Sequence, residues 1–273
     1  MNLVDVHCHL NHKEFEGKLD EVLKNAEKAG VKVIVVSGVN PAANREVLAL
    51  AKKYPLIKAS LGIYPIDALG LAEGESGLPR QTGKIDLDTE FKFMEEHQDE
   101  FVSIGEIGMD FHWADKEKTI ELQSDHFRRI IRFAKKIKKP IVIHTRKAEL
   151  ECINILEEEL PNNEIPVDLH CFSGRKNLIK RAVELGYYFS IPPNIVKSQN
   201  FQVSVELVPL TQLLTETDAP WLSPYKDIIN EPAYVTETIK KIAEIKGLTE
   251  KEVADQIWKN YVRVFGDIYT EIP

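Results

Sequence analysis

The sequence predicts a single (β/α)8 barrel over residues 1–273, and three observations predict it. Eight short apolar runs alternate with amphipathic segments from one end of the chain to the other, the pattern of strands joined by helical crossovers. The length is near the ~250 residues of one such barrel, and a chain of this size buries roughly three quarters of its unfolded surface. Histidines and carboxylates able to bind metal come just after several of the runs, and a barrel of this kind builds its active site at the C-terminal ends of its strands.

The strand runs lie near residues 3–6, 32–36, 57–61, 101–104, 140–143, 167–169, 187–190 and 212–214. Between them, segments such as 18–29, 43–53 and 122–138 carry apolar residues at helical spacing. Residues 63–85 break the alternation. Gly70, Gly74, Gly77, Gly83, Pro65 and Pro79 fall there without a sustained period, so a long loop is expected, overhanging the active face because it follows the third strand. A substrate lid and a solvated insertion both fit such a loop. Near the C terminus, Thr249 and Glu252 form a capping-box pattern that opens a helix carrying Trp258, expected on the outside of the barrel. No repeat, low-complexity tract or composition shift marks a linker.

Lys and Arg number 35 against 43 Asp and Glu, for a net charge of −8. Such a surface repels a nucleic-acid backbone as a whole, so a phosphate substrate has to be held locally. Two divalent ions would do this, bringing four positive charges to the two negative charges of Glu106 and Asp218. Cys8, Cys152 and Cys171 form no disulfide framework and fit a reducing compartment. Cys8 and Cys171 alternate with histidines along their strands, so both are expected to face the strand–helix layer. With no basic leader and no apolar stretch near ~18 residues, a cytoplasmic location without a membrane partner is expected; no protein partner is legible.

His7 and His9 lie in Asp5-Val6-His7-Cys8-His9. Residues two apart in a strand share a face, so the two imidazoles form a chelating pair. Glu106, His144, His170 and Asp218 follow later runs. A single histidine at a strand end is usually a satisfied core group, but six metal-binding residues at the ends of five strands are not. A carboxylate reaches two ions where a neutral imidazole reaches one, so Glu106 is assigned the bridge. His7, His9 and Asp218 then hold one ion, and His144 and His170 the other. Ions roughly 3.5–4 Å apart lower the pKa of a bound water, polarise a phosphoryl or carbonyl oxygen and stabilise the leaving oxygen. Asp218 is suited to take the proton from the attacking water, which makes Asp218 and Glu106 the candidate catalytic residues. The mixed donor set admits Mg, Mn or Zn.

Asp5 shares the face of His7 and His9 and is expected to hydrogen-bond a ligand imidazole from deeper in the barrel. Arg146, Lys147, Arg175 and Lys176 come just after His144 and His170. They are placed to clamp a phosphate, for which the arginine fork is best shaped. Asp110, close behind Glu106, and His112, beside Trp113, are assigned to substrate. His12, His97 and His126 are given structural roles.

Taken together, Asp5-Val6-His7-Cys8-His9, Gly105-Glu106-Ile107-Gly108-Met109-Asp110, Ile143-His144-Thr145-Arg146, His170-Cys171-Phe172-Ser173-Gly174 and Thr215-Glu216-Thr217-Asp218-Ala219-Pro220-Trp221 resemble the TatD family of metal-dependent deoxyribonucleases, in the amidohydrolase superfamily. The resemblance extends to Asn260-Tyr261-Val262-Arg263-Val264-Phe265 and so covers nearly the whole chain. It implies a TIM-like barrel, two divalent ions and hydrolysis of DNA or a related phosphodiester, with His7, His9, Glu106, His144, His170 and Asp218 in the family's ligand positions. One departure is Gly62-Ile63-Tyr64-Pro65, which puts Tyr64 where the family usually has a histidine in a GxHP pattern. That histidine is associated with substrate, so Tyr64 joins the substrate-binding candidates and a shifted substrate range is expected. The 63–85 loop, longer than the family's usual connection, points the same way.

An acidic surface and a narrow barrel mouth favour single-stranded DNA or strand ends over an intact duplex. Two other readings stay open at this stage. One is a superfamily hydrolase acting on an ester or amide, such as a D-aminoacyl-tRNA deacylase, in which the same water attacks a carbonyl carbon. The other is a barrel that binds without catalysis, against which the intact ligand set argues.

Overall fold

The computed structural model describes residues 1–71, 76–81 and 83–266. In it, β1 (Leu3–Cys8), β2 (Val31–Ser37), β3 (Ile57–Leu61), β4 (Ser103–Asp110), β5 (Ile141–Arg146), β6 (Val167–His170), β7 (Tyr188–Ile191) and β8 (Leu213–Thr215) pair in chain order, all parallel. Around them run α1 (Leu19–Ala29), α2 (Pro41–Lys53), α3 (Pro65–Leu69), α4 (Leu87–Glu96), α5 (Lys116–Ile137), α6 (Glu149–Glu159), α7 (Lys176–Glu184), α8 (Gln199–Leu207), α9 (Val235–Lys246) and α10 (Glu250–Phe265). The ring is nearly closed, and main chain beyond β8 makes most of the last step. Thr215 Oγ1 donates to the Val4 carbonyl at 2.6 Å. The Thr217 and Asp218 amides donate to the His7 carbonyl at 3.3 and 2.9 Å, and the His9 amide donates to that of Ala219 at 2.8 Å. The closure therefore sets Asp218 beside His7 and His9.

Strands covered on both faces need no polar alternation, and these are buried along almost their whole length. The exceptions are Lys32 and Lys58, near the starts of β2 and β3, and Arg146, at the end of β5. This is why the sequence reads as continuous apolar runs. Helix starts follow local chemistry: Asn40 accepts the Ala43 amide at 3.0 Å ahead of Pro41. At α10, Thr249 accepts the Glu252 amide at 3.2 Å while Glu252 accepts that of Thr249 at 2.8 Å, the expected capping box. α10 packs against β1, β8 and α9, on the outside of the ring.

Two expectations are corrected. β4 and β5 run on past their apolar stretches to Asp110 and Arg146, so Glu106 and His144 lie within strands, where sequence put them just beyond. Pairing to neighbours keeps these polar tips extended. The segment 63–85 holds α3, which five residues make too short to show a period; it begins at Pro65 and ends at Gly70, φ 71°. Residues 72–75 and 82 of that segment lie outside the described residues. The pairing register slips between Asp5 and Cys8 in β1 and between Ile104 and Ile107 in β4. Such irregularities re-aim side chains, and His7 and Glu106 sit at these two.

Candidate metal centre

The Nε2 atoms of His7 and His9 lie 3.2 Å apart. Glu106 Oε2 is 3.6 and 3.5 Å from them, and Asp218 Oδ1 is 3.7 and 3.6 Å away. The other Glu106 oxygen turns the opposite way: Oε1 is 2.8 Å from His144 Nδ1 and 3.9 Å from His170 Nε2. One carboxylate thus gives an oxygen to each of two donor groups. The His7 and His170 rings stack at 3.8 Å between centroids and join the groups.

Each imidazole has its other nitrogen held by the protein. His9 Nδ1–H donates to the Ser37 carbonyl at 3.1 Å, and His7 Nδ1 meets Ser37 Oγ at 3.1 Å. His144 Nε2–H donates to Asp110 Oδ2 at 3.0 Å, and His170 Nδ1–H to Glu216 Oε2 at 2.9 Å. An acceptor at the outer nitrogen keeps the proton there and leaves the inner lone pair for a metal, as outer partners of metal-binding histidines do. These acceptors are anchored in turn. Glu216 Oε2 also accepts from Ser190 Oγ at 2.7 Å, and its Oε1 accepts the Cys171 amide at 2.9 Å. Asp110 Oδ2 accepts from the Tyr64 hydroxyl at 2.9 Å, and its Oδ1 accepts the His112 and Trp113 amides at 2.7 and 2.9 Å.

The charges follow from these contacts. Burial first, then the charge of His170, lowers His7 to a pKa of about 4, so its ring is neutral. For His144 burial works the other way from its partners, yet the bonds to Asp110 and Glu106 prevail and raise it to about 9. His170 is likewise held well above the ordinary imidazole value, against burial, by Glu216. Glu106 lies well below the usual carboxylate range, again against burial, through its bonds to His144 and His7. Without an ion, protons on His144 and His170 supply the positive charge that the carboxylates require.

Glu106, His144, His170 and Asp218 line a cleft of about 560 Å³ with Ser76, Trp113, Arg146, Cys171 and Trp221. All six expected metal residues converge on this centre, with His7 and His9 fully buried behind the cleft wall. Of the five residues assigned to substrate, Arg146 lines the cleft. Tyr64 and Asp110 lie buried behind His144 instead: Tyr64 precedes the first residue of α3, and its hydroxyl reaches the Asp110 carboxylate at the end of β4. His112 is exposed and tied to Asp110 only through its amide, and Arg175 is exposed at the start of α7, outside the cleft lining.

Asp5 was expected on a ligand ring; it accepts the His7 and Thr217 amides at 3.3 and 2.8 Å instead, tying β1 to the segment after β8. Cys8 is buried, its thiol towards the Val35 carbonyl, but Cys171 turns into the cleft at a left-handed φ of 46° that ends the alternation of β6. His97 and His126 stand on α4's end and in α5. His12 donates to the Ser76 carbonyl at 2.7 Å beside the cleft. Sequence reasoning missed Ser37 and Glu216. Glu216 is two positions before Asp218 and Ser37 is the polar end of an apolar run, signals that strand alternation and the strand-end rule could have used.

Buried imidazoles and carboxylates assembled at the strand ends of a parallel barrel define a metal-dependent hydrolase. The chain belongs to the TatD-related DNase family, whose model matches residues 4–266. It is 33% identical over 268 residues to the human deoxyribonuclease TATDN3, covering 97% of this chain and 95% of that one. It is 31% identical to the uncharacterized metal-dependent hydrolase YabD of Bacillus subtilis, covering 96% and 98%. The crystal structure of the TatD homolog YjjV from Escherichia coli superposes with a TM-score of 0.83 at 26% identity, over 99% of this chain and 98% of that one.

Proposed function

We propose that the protein is a metal-dependent deoxyribonuclease that cleaves DNA phosphodiester bonds on single strands or at strand ends, as one domain over residues 1–273 of a cytoplasmic protein. The observation that carries this reading is the divided carboxylate of Glu106. On it, His7, His9 and Asp218 would hold one divalent ion, His144 and His170 a second, and Glu106 would offer an oxygen to each. Bound there, the two ions would activate a water, neutralise phosphoryl charge and stabilise the leaving oxygen. Mg, Mn and Zn all suit the donors. Asp218 faces the cleft and accepts the proton of the attacking water. Arg146 holds a phosphate oxygen from the cleft wall. A 560 Å³ cleft has the capacity of a small-ligand pocket, which fits a nucleotide of an open strand and excludes a duplex. The name of the human relative supports DNA as the substrate.

The test is cleavage of 3′-labelled and 5′-labelled single-stranded DNA by metal-stripped protein, repeated with Mg, Mn or Zn, beside Asp218→Asn. Ion-dependent cleavage that the variant loses is expected, and the two labels give its polarity. Cleavage undiminished in Asp218→Asn removes that residue from the chemistry. No cleavage with any ion overturns the nuclease reading in favour of an ester or amide substrate.

Ion binding also has to displace protons. His144 stands at about 9 in the metal-free protein and His170 well above its ordinary value, so both rings are protonated in the neutral range and the ion that would sit between them competes with those protons, whereas the neutral His7 ring offers no such competition. Affinity for that ion is therefore expected to rise with pH, by up to about tenfold per unit for each proton released, and to level off once both His144 and His170 have titrated. Calorimetry in two buffers of different ionisation heat counts the protons; an affinity independent of pH would contradict this charge assignment.

A further inference from the structure

Trp113 stands out among the cleft-lining residues, because its indole is 38% exposed. It follows β4, and its amide is fixed at 2.9 Å on Asp110, the carboxylate that also holds His144. The ring is thereby referenced to the metal centre. Arg146, two residues after His144 at the end of β5, lies over the Trp113 ring with its guanidinium carbon 5.5 Å from the centroid, inside cation–π range. Trp221, the other tryptophan of the cleft, is engaged by edge contacts to His9 at 5.4 Å and His12 at 5.3 Å, whereas the one imidazole edge on Trp113 is that of the exposed His112, at 4.8 Å. Trp113 lies outside the hydrophobic core, and a large exposed aromatic on the wall of a cleft that also holds charged side chains is a binding feature rather than a packing one.

We infer that Trp113 and Arg146 form a nucleotide subsite, in which the indole stacks on a base next to the bond being cut and the guanidinium grips the adjoining phosphate. This rests on the nuclease reading and deepens it, since only an unpaired base can present its face to a side chain. Stacking tolerates every base because each has a π-face, and arginine adds directed donors for phosphate. The subsite therefore selects open strands without selecting sequence. It also supplies attraction that the net charge of −8 withholds.

The experiment compares kcat/KM on an all-thymidine oligonucleotide and on the same strand built of abasic sugars, with the metal-loaded enzyme. Wild type is expected to favour the thymidine strand by roughly 5- to 150-fold, the value of one stacked base. Trp113→Ala and Trp113→Leu should each bring that ratio close to unity, the second while keeping apolar bulk, and Trp113→Phe should retain much of it. A wild-type ratio near unity overturns the subsite. So do alanine and leucine variants that lose rate equally on both strands and keep the wild-type ratio. Failure of wild type to cleave the thymidine strand with any ion overturns the nuclease reading itself.

Discussion

Replacing Glu106 by glutamine is expected to lower metal-dependent turnover by more than about 100-fold, the upper end for losing a partner that only orients a ligand. Glu106 faces both donor groups directly. An amide keeps one oxygen and replaces the other with a donor that cannot bind a cation. One group loses its shared oxygen, and the carboxylate charge that faces both groups is lost entirely. The fold should survive, because in the metal-free protein His144 and His170 can release the protons that Glu106 helped to hold, and Asp110 and Glu216 still anchor their outer nitrogens. Ion content by elemental analysis and turnover should therefore fall while the urea midpoint changes little. Wild-type ion content and turnover in Glu106→Gln would remove this residue from the centre.

The strands were legible because coverage on both faces leaves runs such as that of β2 apolar almost throughout. The candidate metal residues were legible because His144 and His170 interrupt such runs with side chains no core would choose. What supports them was harder to read. Ser37 reaches His7 and His9 from the neighbouring strand, and Glu216, just after β8, reaches His170 two strands away at the end of β6. Such pairings depend on register and strand-end geometry, which spacing along the chain does not carry. Arg146 and Arg175 look alike in sequence, each shortly after a histidine of the candidate centre. One continues its strand into the cleft while the other begins a helix outside it. Tyr64 is the sharpest case: its place in the chain led to the expectation of a substrate contact, yet its hydroxyl folds back on Asp110, the carboxylate that holds His144.

The same motif carries a glycine whose importance appears only in three dimensions. Gly62 follows β3, and a Cβ there would lie 2.1 Å from the Glu106 nitrogen, 2.4 Å from the Gly105 carbonyl carbon and 2.5 Å from the Gly38 oxygen. All three are main chain, which cannot swing aside as a side chain does. On the other side, Asn44 of α2 clamps the glycine: its Oδ1 accepts the Gly62 amide and its Nδ2 donates to the Gly62 carbonyl, both at 3.0 Å. The Glu106 amide meanwhile donates to the Gly38 carbonyl at 3.2 Å. Gly62→Ala must therefore break the clamp or push Glu106 from the centre. A loss of stability beyond about 3 kcal/mol is expected, past the usual cost of overpacking, with ion binding impaired in whatever fraction folds. Gly83→Ala is the comparison, because its Cβ meets nothing within 4 Å and only the positive φ of 79° resists it, at about 1–2 kcal/mol. Urea unfolding of both variants, each with and without ion, separates strain from crowding. If Gly62→Ala unfolds at the wild-type midpoint and binds ions as before, β4 has room to yield. The position of Glu106 would then be owed to its bonds with His144 and His7 rather than to the packing beneath it.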